Sequence, residues 1–365
     1  MKIVYKYMFK ELLAPLIFGA AAFTGIFVGT DLLFNLIDYY NSYGLSILTL
    51  LQLFFLNLPA IAVMTLPMAT LLGTIMAFGR LSGDSEITAL RTGGFSIYKL
   101  VAPAIIMGLL MTFITIGVNE YLVPRANSLE QEIVWEFRNL QRRPNTQSNL
   151  LLPSKDSSGR PDFFLYTRTF DGDSGKMTDL IFQDFQDGKP VQLIEAEEAF
   201  WEDDGGWRFI NGRIIHLRVG ERIPAISFSE YTESGLTYQP SQLAQVNKKI
   251  SDMNYGELQE FIELQKRQGK NVNKELIDLY HRLSIPFANV IFALLAAVLG
   301  IQPQRSGGSA TGMGISIAVI FVYYTILTVG SAMGEQGTIS PFLGAWLQNF
   351  VFLIVGSIML YRLAK

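Results

Sequence analysis

Long apolar runs alternate with short polar stretches over most of the chain, and this alternation predicts six membrane-spanning helices. Each run approaches or exceeds the roughly 20 residues that a helix needs to cross a bilayer. The predicted spans are residues 12–37, 47–78, 97–123, 283–301, 312–333 and 339–363. The first run is too long for the apolar region of a signal peptide, so it predicts an uncleaved transmembrane helix.

Between the third and fourth runs the pattern changes to short segments with a period of two, which is typical of β-strands. The eight segments are residues 149–152, 163–170, 180–185, 191–194, 199–201, 207–210, 213–219 and 225–228. Turn pairs such as Asp171-Gly172 and Asn211-Gly212 separate them. This density of strands and turns predicts an antiparallel sandwich or jelly roll, with helices at 128–143 and 255–266 beside it.

The predicted fold is therefore an α-helical polytopic membrane protein, three spans plus three, with an inserted β-jellyroll domain. We expect spans 1 to 3 in residues 1–124, with a short surface helix at 83–94. The inserted domain should occupy 125–275, its jelly roll about 146–245, and spans 4 to 6 should occupy 276–365.

Charge is concentrated in the inserted domain. It holds 24 of the 32 acidic residues and 19 of the 29 basic residues of the chain. Neither part has the positive excess that nucleic-acid binding requires, so nucleic acid is not an expected partner. The chain has no cysteine, and its two histidines, His216 and His281, are far apart in sequence, so no metal site is expected.

The short loops and chain ends predict the orientation, because Lys and Arg collect on the cytoplasmic side. One side holds Lys2, Lys6, Lys10, Arg80, Arg91, Lys99, Arg305, Arg362 and Lys365. The opposite short loops, residues 39–46 and 334–340, hold neither Lys nor Arg. Both termini are therefore expected in the cytoplasm, with the inserted domain on the far side of the membrane.

A polar island at residues 83–94 lies between the second and third spans. Ile87 and Leu90 stand three apart, and Gly93 and Gly94 close the segment as a helix stop would. The pattern favours a short amphipathic helix on the membrane surface. An ordinary connecting loop is the alternative.

Polar residues also occur inside the first span. Thr24, Asp31, Asn35 and Asp38 have spacings that place them on one stripe of a helix, and such a stripe should avoid lipid tails. Alternatively, Asp38 marks the interface and Asp31 pairs locally. Arg282, at the entry of the fourth span, stands four residues after Asp278 and forms with it either a structural pair or part of a ligand site.

Small residues recur at the spacing that lets membrane helices touch. The pairs are Gly25 with Gly29, Gly308 with Gly312, and Gly330 with Gly334. They predict close packing of the first and fifth spans.

No phosphate-binding Gly-x-x-x-x-Gly-Lys-Ser/Thr loop occurs in the chain, and no catalytic constellation is evident. The chain is therefore not expected to be an enzyme or to bind a nucleotide through such a loop of its own.

The three-plus-three plan, the run from Arg80 to Gly94, the segment from His281 to Pro286, and Pro341, Trp346 and Asn349 together closely resemble one family. It is the LptF/LptG (YjgP/YjgQ) family of permeases for bacterial lipopolysaccharide export. The resemblance covers the whole chain. It implies a bacterial inner-membrane protein, half of the membrane part of an ABC transporter, with its large domain in the periplasm.

The resemblance also implies partners. A second LptF/LptG-type permease, either a paralogue or a second copy, would complete the pore, and a cytosolic ATPase dimer would use ATP and Mg²⁺. The chain itself would bind no cofactor. Lipopolysaccharide would enter laterally near spans 1 and 5 and pass along β-jellyroll domains to periplasmic LptC/LptA-like bridge proteins.

Site residues follow from the resemblance. The helix that couples to the ATPase corresponds to Asp84, Ser85, Glu86, Ile87, Thr88, Leu90, Arg91, Gly93 and Gly94, with Glu86 at the acidic docking position. Candidate cavity or gate residues are Thr24, Gly25, Gly29, Asp31, Asn35, Asp38, Arg282, Gly308 and Gly312. Candidate residues of the lipid path in the β domain are Phe163, Leu165, Leu180, Phe182 and Phe185; the alternative for these residues is a dry, fully packed sandwich core.

One feature departs from the family pattern. Its members commonly carry basic residues in the first span near the lipid phosphates, whereas this chain has no Lys or Arg between Lys10 and Arg80.

Two other classes are the alternatives. A lipoprotein-releasing or mechanotransmitting ABC permease usually has four spans rather than six. A membrane scaffold without a transport role would need no coupling helix.

Overall fold

The computed structural model describes residues 2–137, 146–155, 160–172, 174–186, 188–202, 206–217, 224–233, 236, 240, 243, 250–267, 269–301 and 309–365. The chain divides into two compact units. A helical unit comprises residues 1–130 and 273–365, and a β unit comprises residues 131–272.

The helical unit is built from helices joined by short connections. They are α1 (Lys2–Phe27), α2 (Leu33–Tyr43), α3 (Ile47–Gly83), α4 (Glu86–Thr92), α5 (Ile97–Gly117), α6 (Val123–Phe137, of which residues 131–137 belong to the β unit), α8 (Asn273–Ile301), α9 (Ser309–Glu335) and α10 (Pro341–Ala364). A π-helical turn, Val28–Leu32, connects α1 to α2, and a second, Val118–Leu122, connects α5 to α6.

Within the part of the chain that the structure describes, six helical segments are long and apolar enough to cross a membrane. They are Ile3–Tyr43, Ile47–Gly83, Ile97–Val134, Asn273–Ile301, Gly312–Glu335 and Pro341–Ala364. The prediction of six spans is confirmed. The 37 residues of α3 extend over about 55 Å, well beyond the hydrocarbon thickness of about 30 Å.

Glycine permits close contact between α1 and α3. A Cβ atom added at Gly73 of α3 would lie 2.6 Å from the Cα atom of Leu16, which leaves no room for a side chain. Gly19 of α1 has the reciprocal arrangement, since its added Cβ would lie 3.1 Å from the Cα atom of Ala69. The two helices therefore touch backbone to backbone, the arrangement that small residues favour in membranes.

The helix α8 lies at the centre of the helical unit and packs against α3, α5 and α10. Its Asn289 is fully buried and fully hydrogen-bonded. The side-chain NH₂ donates to Thr115 Oγ1 (3.2 Å) and to the Pro286 carbonyl (2.9 Å), and its Oδ1 accepts a bond from Thr70 Oγ1 (2.8 Å). One amide thus connects three spans where hydrocarbon supplies no other partner.

A second buried polar contact joins α8, α9 and α10. The Tyr323 hydroxyl donates to Asn349 Oδ1 at 2.8 Å, and Asn349 Nδ2 donates to the Ser284 carbonyl at 2.7 Å. Asn349, one of the residues that carry the family resemblance, therefore has a structural role in this chain.

In the described part of the β unit, six antiparallel strands follow one another across a single sheet. They are β1 (Thr146–Lys155), β2 (Pro161–Asp171), β3 (Lys176–Gln186), β4 (Lys189–Glu202), β5 (Gly206–His216) and β6 (Ile226–Glu233). The predicted fold class, a polytopic helical membrane protein with an inserted antiparallel β domain, is confirmed. The prediction of eight separate strand segments is wrong, because residues 191–194 and 199–201 both lie in β4, and residues 207–210 and 213–216 both lie in β5.

The predicted turn at Asn211-Gly212 is wrong, because both residues lie inside β5. Asn211 has a φ of 52°, and the pairing register between β4 and β5 skips it. A Cβ atom at Gly212 would lie 2.3 Å from the Glu195 carbonyl oxygen and 2.4 Å from Phe228. The glycine therefore permits close strand packing rather than a chain reversal, which is a common use of glycine within strands.

One face of the sheet is apolar and buried. The register aligns Leu152, Leu165, Phe182, Ile194 and Ile214 in a row across β1 to β5. These residues belong to one buried cluster together with Trp207 and Phe209.

The helix α7 (Tyr255–Arg267) contributes Leu264 to the same cluster. A capping box fixes its start, since Asn254 Oδ1 accepts a bond from the Glu257 N–H and Glu257 Oε2 accepts one from the Asn254 N–H, both 2.9 Å. The helix predicted at 128–143 corresponds to α6 as far as Phe137, and residues 138–143 lie outside the described part of the chain.

The α1–α3 contact gives a matched pair of substitutions. Gly73→Ala should lower the apparent melting temperature of the detergent-purified protein, because overpacking costs about 1–3 kcal/mol. Gly79→Ala in the same helix should leave it unchanged or raise it, because an added Cβ there meets nothing within 4 Å. Equal effects of the two substitutions on the melting temperature would contradict backbone contact at Gly73.

Candidate functional site

The polar island between α3 and α5 folds as a helix with defined ends. Ser85 takes a left-handed conformation, with a φ of 62°, and turns the chain out of α3 into α4. At the other end Gly94 has a φ of 89°, and the Phe95 N–H donates to the Leu90 carbonyl at 3.0 Å. This is the six-to-one bond of a Schellman motif, so the predicted glycine helix stop is confirmed.

A single buried side chain anchors α4 to the helical unit. Ile87 is 3% exposed and belongs to the buried cluster that α1, α3, α5 and α8 share, where its neighbours include Leu81 and Ile97. Leu90 and Phe95 pack against the edge of the same cluster. Ile87, named above as part of the segment that corresponds to the coupling helix, is therefore an internal anchor that fixes the position of α4.

The opposite face of α4 is open to solvent. Its exposed residues, together with those at the two ends of the helix, are Asp84, Ser85, Thr88, Ala89, Arg91, Thr92, Gly93 and Gly94. Because the anchor lies on one side and these residues on the other, α4 presents a fixed, exposed surface. Ala89 and Thr92 belong to this surface and were not predicted from the sequence.

The Glu86 carboxylate is held by the first helix. The Tyr7 hydroxyl lies 2.8 Å from Glu86 Oε2 and 3.0 Å from Oε1 and donates to the carboxylate. One turn further along α1, Glu11 forms an ion pair with Arg80 near the end of α3. Sequence reasoning missed both contacts, although Tyr7 and Glu11 stand four apart and therefore share a helix face.

The predicted polar stripe of the first span is divided between two environments. The Thr24 hydroxyl faces α3, where it lies 3.2 Å from the Thr65 hydroxyl. Asp31, Asn35 and Asp38 are exposed, and Asn35 Nδ2 donates to Asp31 Oδ1 at 3.5 Å. The π turn explains the division, since it holds one residue more than an α turn and rotates the residues that follow it around the helix axis.

The glycine pairs of the predicted spans also differ in whether another helix packs against them. Gly25 and Gly29 lie on the open side of the first span, and a Cβ atom at either would meet nothing within 4 Å. Gly312 instead faces Ile75 of α3, and Gly330 touches Gly344 of α10. Within the described part of the chain, the close packing predicted at these pairs is therefore present at Gly312 and Gly330 of span 5 and absent at Gly25 and Gly29 of span 1. Gly308 lies outside the described part.

Arg282 is partly exposed and lies more than two turns after the start of α8. Beside it, His281 Nε2 lies 3.2 Å from the Ser331 hydroxyl of α9.

The five candidate lipid-path residues lie on β2 and β3. Phe163, Leu165, Leu180 and Phe182 are buried in the apolar cluster of the sheet, and Phe185 is partly buried. The rings of Phe163 and Phe182 stand 5.7 Å apart, and Phe182 stacks on Phe209 at 6.4 Å. This face is the apolar surface that a lipid path would need.

The other face of the sheet is polar. A groove of about 640 Å³ runs along it, lined by residues of β2 to β6 that include Tyr166, Asn211 and Ser227. Ion pairs cross its strands, for example Arg213 Nε with Glu195 Oε2 at 2.7 Å. The sheet therefore separates a charged surface from an apolar one.

Known proteins of similar sequence cover nearly the whole chain. The chain is 22% identical to the lipopolysaccharide export system permease protein LptG of Haemophilus influenzae over 335 residues, 90% of each chain. It is 20% identical to LptG of Escherichia coli K12 over 326 residues, 88% of this chain and 87% of the relative. It is 23% identical to LptF of the same strain over 331 residues, 85% of this chain and 81% of the relative.

The family description that matches the sequence is "Lipopolysaccharide export system permease LptF/LptG", and the match extends over residues 6–362. It includes all six spans, the inserted β domain and the α4 segment. The chain is an integral membrane protein that belongs to the LptF/LptG family of lipopolysaccharide export permeases.

Proposed function

We propose that the chain is a permease subunit of an ABC transporter that moves lipopolysaccharide out of the inner membrane. The family match over residues 6–362 carries the proposal. A separate cytosolic ATPase dimer would bind and hydrolyse ATP with Mg²⁺, so that this chain acts as a transport permease and not as an enzyme.

The α4 segment supplies the docking surface for that ATPase. A docking element must transmit force, so its connection to the membrane helices has to be stiff. Ile87 provides such a connection through the shared cluster, and the Ser85 and Gly94 conformations fix both ends of the helix. The Glu86 carboxylate then offers a partner cation a charge-assisted hydrogen bond, about twice as strong as a neutral one.

The exposed side of the first span is the surface for a second permease and for the lipid. Beyond the π turn, Leu33, Phe34 and Ile37 are each about half exposed. Gly25 and Gly29 on the same span leave room for the close approach of another helix. Asp31, Asn35 and Asp38 would then line a cavity that two permeases form together.

The β domain would receive the lipid on its apolar face. Acyl chains cannot cross water unprotected, because each exposed CH₂ costs about 0.8 kcal/mol. The buried row through Leu165 and Phe182 offers the environment they need, provided that the sheet opens to admit them. Periplasmic β-jellyroll proteins of the bridge would continue this path.

The distribution of basic residues supports an inner-membrane topology with both termini in the cytoplasm. That orientation places α4 on the side of the ATPase and the β domain in the periplasm.

Substitutions at Glu86 test the docking role. Glu86→Ala should reduce the amount of ATPase that co-purifies with the chain. Glu86→Lys should reduce it further, because repulsion replaces attraction between the charges. Glu260→Ala, which removes an exposed carboxylate of α7, is the matched control and should leave co-purification unchanged. Wild-type ATPase capture by both Glu86 variants would reject α4 as the docking helix.

Cysteine labelling tests the orientation without background, because the chain has no cysteine. Cysteines at Ser42 and Ser174, both exposed, should react with a membrane-impermeant thiol reagent added to the periplasmic side. A cysteine at the exposed Ser96, which follows the α4 segment, should react only after the membrane is opened. The reverse pattern would invert the proposed topology.

A further inference from the structure

Two polar contacts, the Tyr7–Glu86 and Glu11–Arg80 pairs, join the start of α1 to the start of α4 and to the end of α3. The Tyr7 hydroxyl lies 2.8 and 3.0 Å from the two Glu86 carboxylate oxygens and donates its single proton to the carboxylate. Glu11, on the same face of α1, forms its ion pair with Arg80, whose helix leads directly into α4. One contact is made before the Ser82–Ser85 turn in sequence and the other after it. Both sides of the turn are therefore attached to α1.

Tyrosine has the chemistry to orient a docking carboxylate without neutralising it. Its hydroxyl supplies one proton, whereas a carboxylate offers about four acceptor positions. The charge and most of the acceptor positions of Glu86 therefore remain available to a cation from outside. A Lys or Arg in the place of Tyr7 would form an ion pair with Glu86 and compete with that cation.

The packing of α1 would transmit a displacement at its N-terminal end to the first half of the helix. Met8 and Leu12 are buried in the cluster that also holds Ile87, and Leu16 touches the backbone of Gly73 on α3. Past Thr24 the span is largely exposed, and the α-helical pattern is interrupted at the Val28–Leu32 turn. The near half of the span is thus fixed to the α4 segment, while the far half has few contacts within the chain.

We propose that Tyr7 is a positioning residue for the Glu86 carboxylate, and that Tyr7 and Glu11 together latch the first span to the ATPase-docking segment. This inference rests on the proposed function, in which Glu86 docks to the ATPase. A displacement of α4 by the ATPase then moves the near half of α1 with it. The exposed half beyond the π turn changes its position relative to its neighbours.

Carboxyl labelling of the purified chain tests the positioning contact without any partner. With a carbodiimide and glycine ethyl ester, Tyr7→Phe should raise the labelling rate of Glu86 about threefold relative to that of Asp84, the loss expected for one hydrogen bond. Tyr98→Phe, at an exposed tyrosine of α5, is the matched control and should leave the ratio unchanged. An unchanged ratio in Tyr7→Phe would show that the hydroxyl does not hold Glu86.

The complex with the co-purifying ATPase tests the latch. Tyr7→Phe should lower lipopolysaccharide-stimulated ATP hydrolysis about threefold, whereas Tyr98→Phe should not change it. In a Glu86→Gln background the effect of Tyr7→Phe should shrink, because a neutral amide accepts a weaker hydrogen bond than a carboxylate.

The outcomes separate this inference from the function on which it rests. A wild-type chain that captures no ATPase would contradict the proposed function itself. A wild-type complex with stimulated hydrolysis, in which Tyr7→Phe behaves like Tyr98→Phe, would contradict only the latch. An equal loss from Tyr7→Phe with and without Glu86→Gln would mean that Tyr7 does not act through Glu86.

Discussion

The hydrocarbon of a bilayer supplies no hydrogen-bond partners, and this constraint shapes the whole helical unit. Two buried asparagine side chains join spans. Asn289 connects α8 to α3 and α5 with each of its polar groups occupied, and Asn349 connects α8, α9 and α10 through Tyr323. Where no polar bond is made, the spans rely on contact between backbones, as at Gly73 and Leu16.

The same constraint leads to an asymmetric first span. Its near half is packed against α3 and tied to the α4 segment, whereas its far half presents Gly25, Gly29 and Asp31 to the outside. An exposed acidic residue within a transmembrane helix indicates a polar neighbour or a cavity. In the proposed transporter that neighbour is the second permease, so the site for the lipid is incomplete in a single chain.

The sheet of the β unit also separates polar from apolar side chains, here in water. Adjacent residues of one strand point to opposite faces, so Phe182 lies in the apolar cluster while Ile181 borders the polar groove. The charged face, with pairs such as Arg213 and Glu195, keeps the domain soluble. The apolar face is left as the surface that a lipid would follow.

Much of this architecture could be predicted from the sequence, because it depends on period and length. Six long apolar runs gave six spans, and the Gly93-Gly94 pair predicted the end of α4. The Asn211-Gly212 pair led to a wrong prediction of a turn, because an Asn-Gly pair can stand in a tight hairpin and also in an irregular strand.

Other features depend on contacts between residues that are distant in sequence. The Tyr7–Glu86 bond spans 79 positions, and the Asn289–Thr70 bond spans 219, so no local pattern could reveal either. The π turns were missed because an inserted residue does not interrupt the apolar run. The inserted residue changes only which side chains face outward, as the different environments of Thr24 and Asp31 show.

The central claim, that the chain carries lipopolysaccharide along the apolar face of its β domain, is tested most directly by a photo-crosslinking pair at Phe182 and Ile181. The experiment uses the assembled complex in cells, with a photoreactive amino acid at one position or the other. The account predicts a lipopolysaccharide adduct at Phe182 that requires ATP hydrolysis, and none at Ile181. Absence of any adduct at Phe182 in a complex that transports lipid, or equal adducts at both positions, would contradict it.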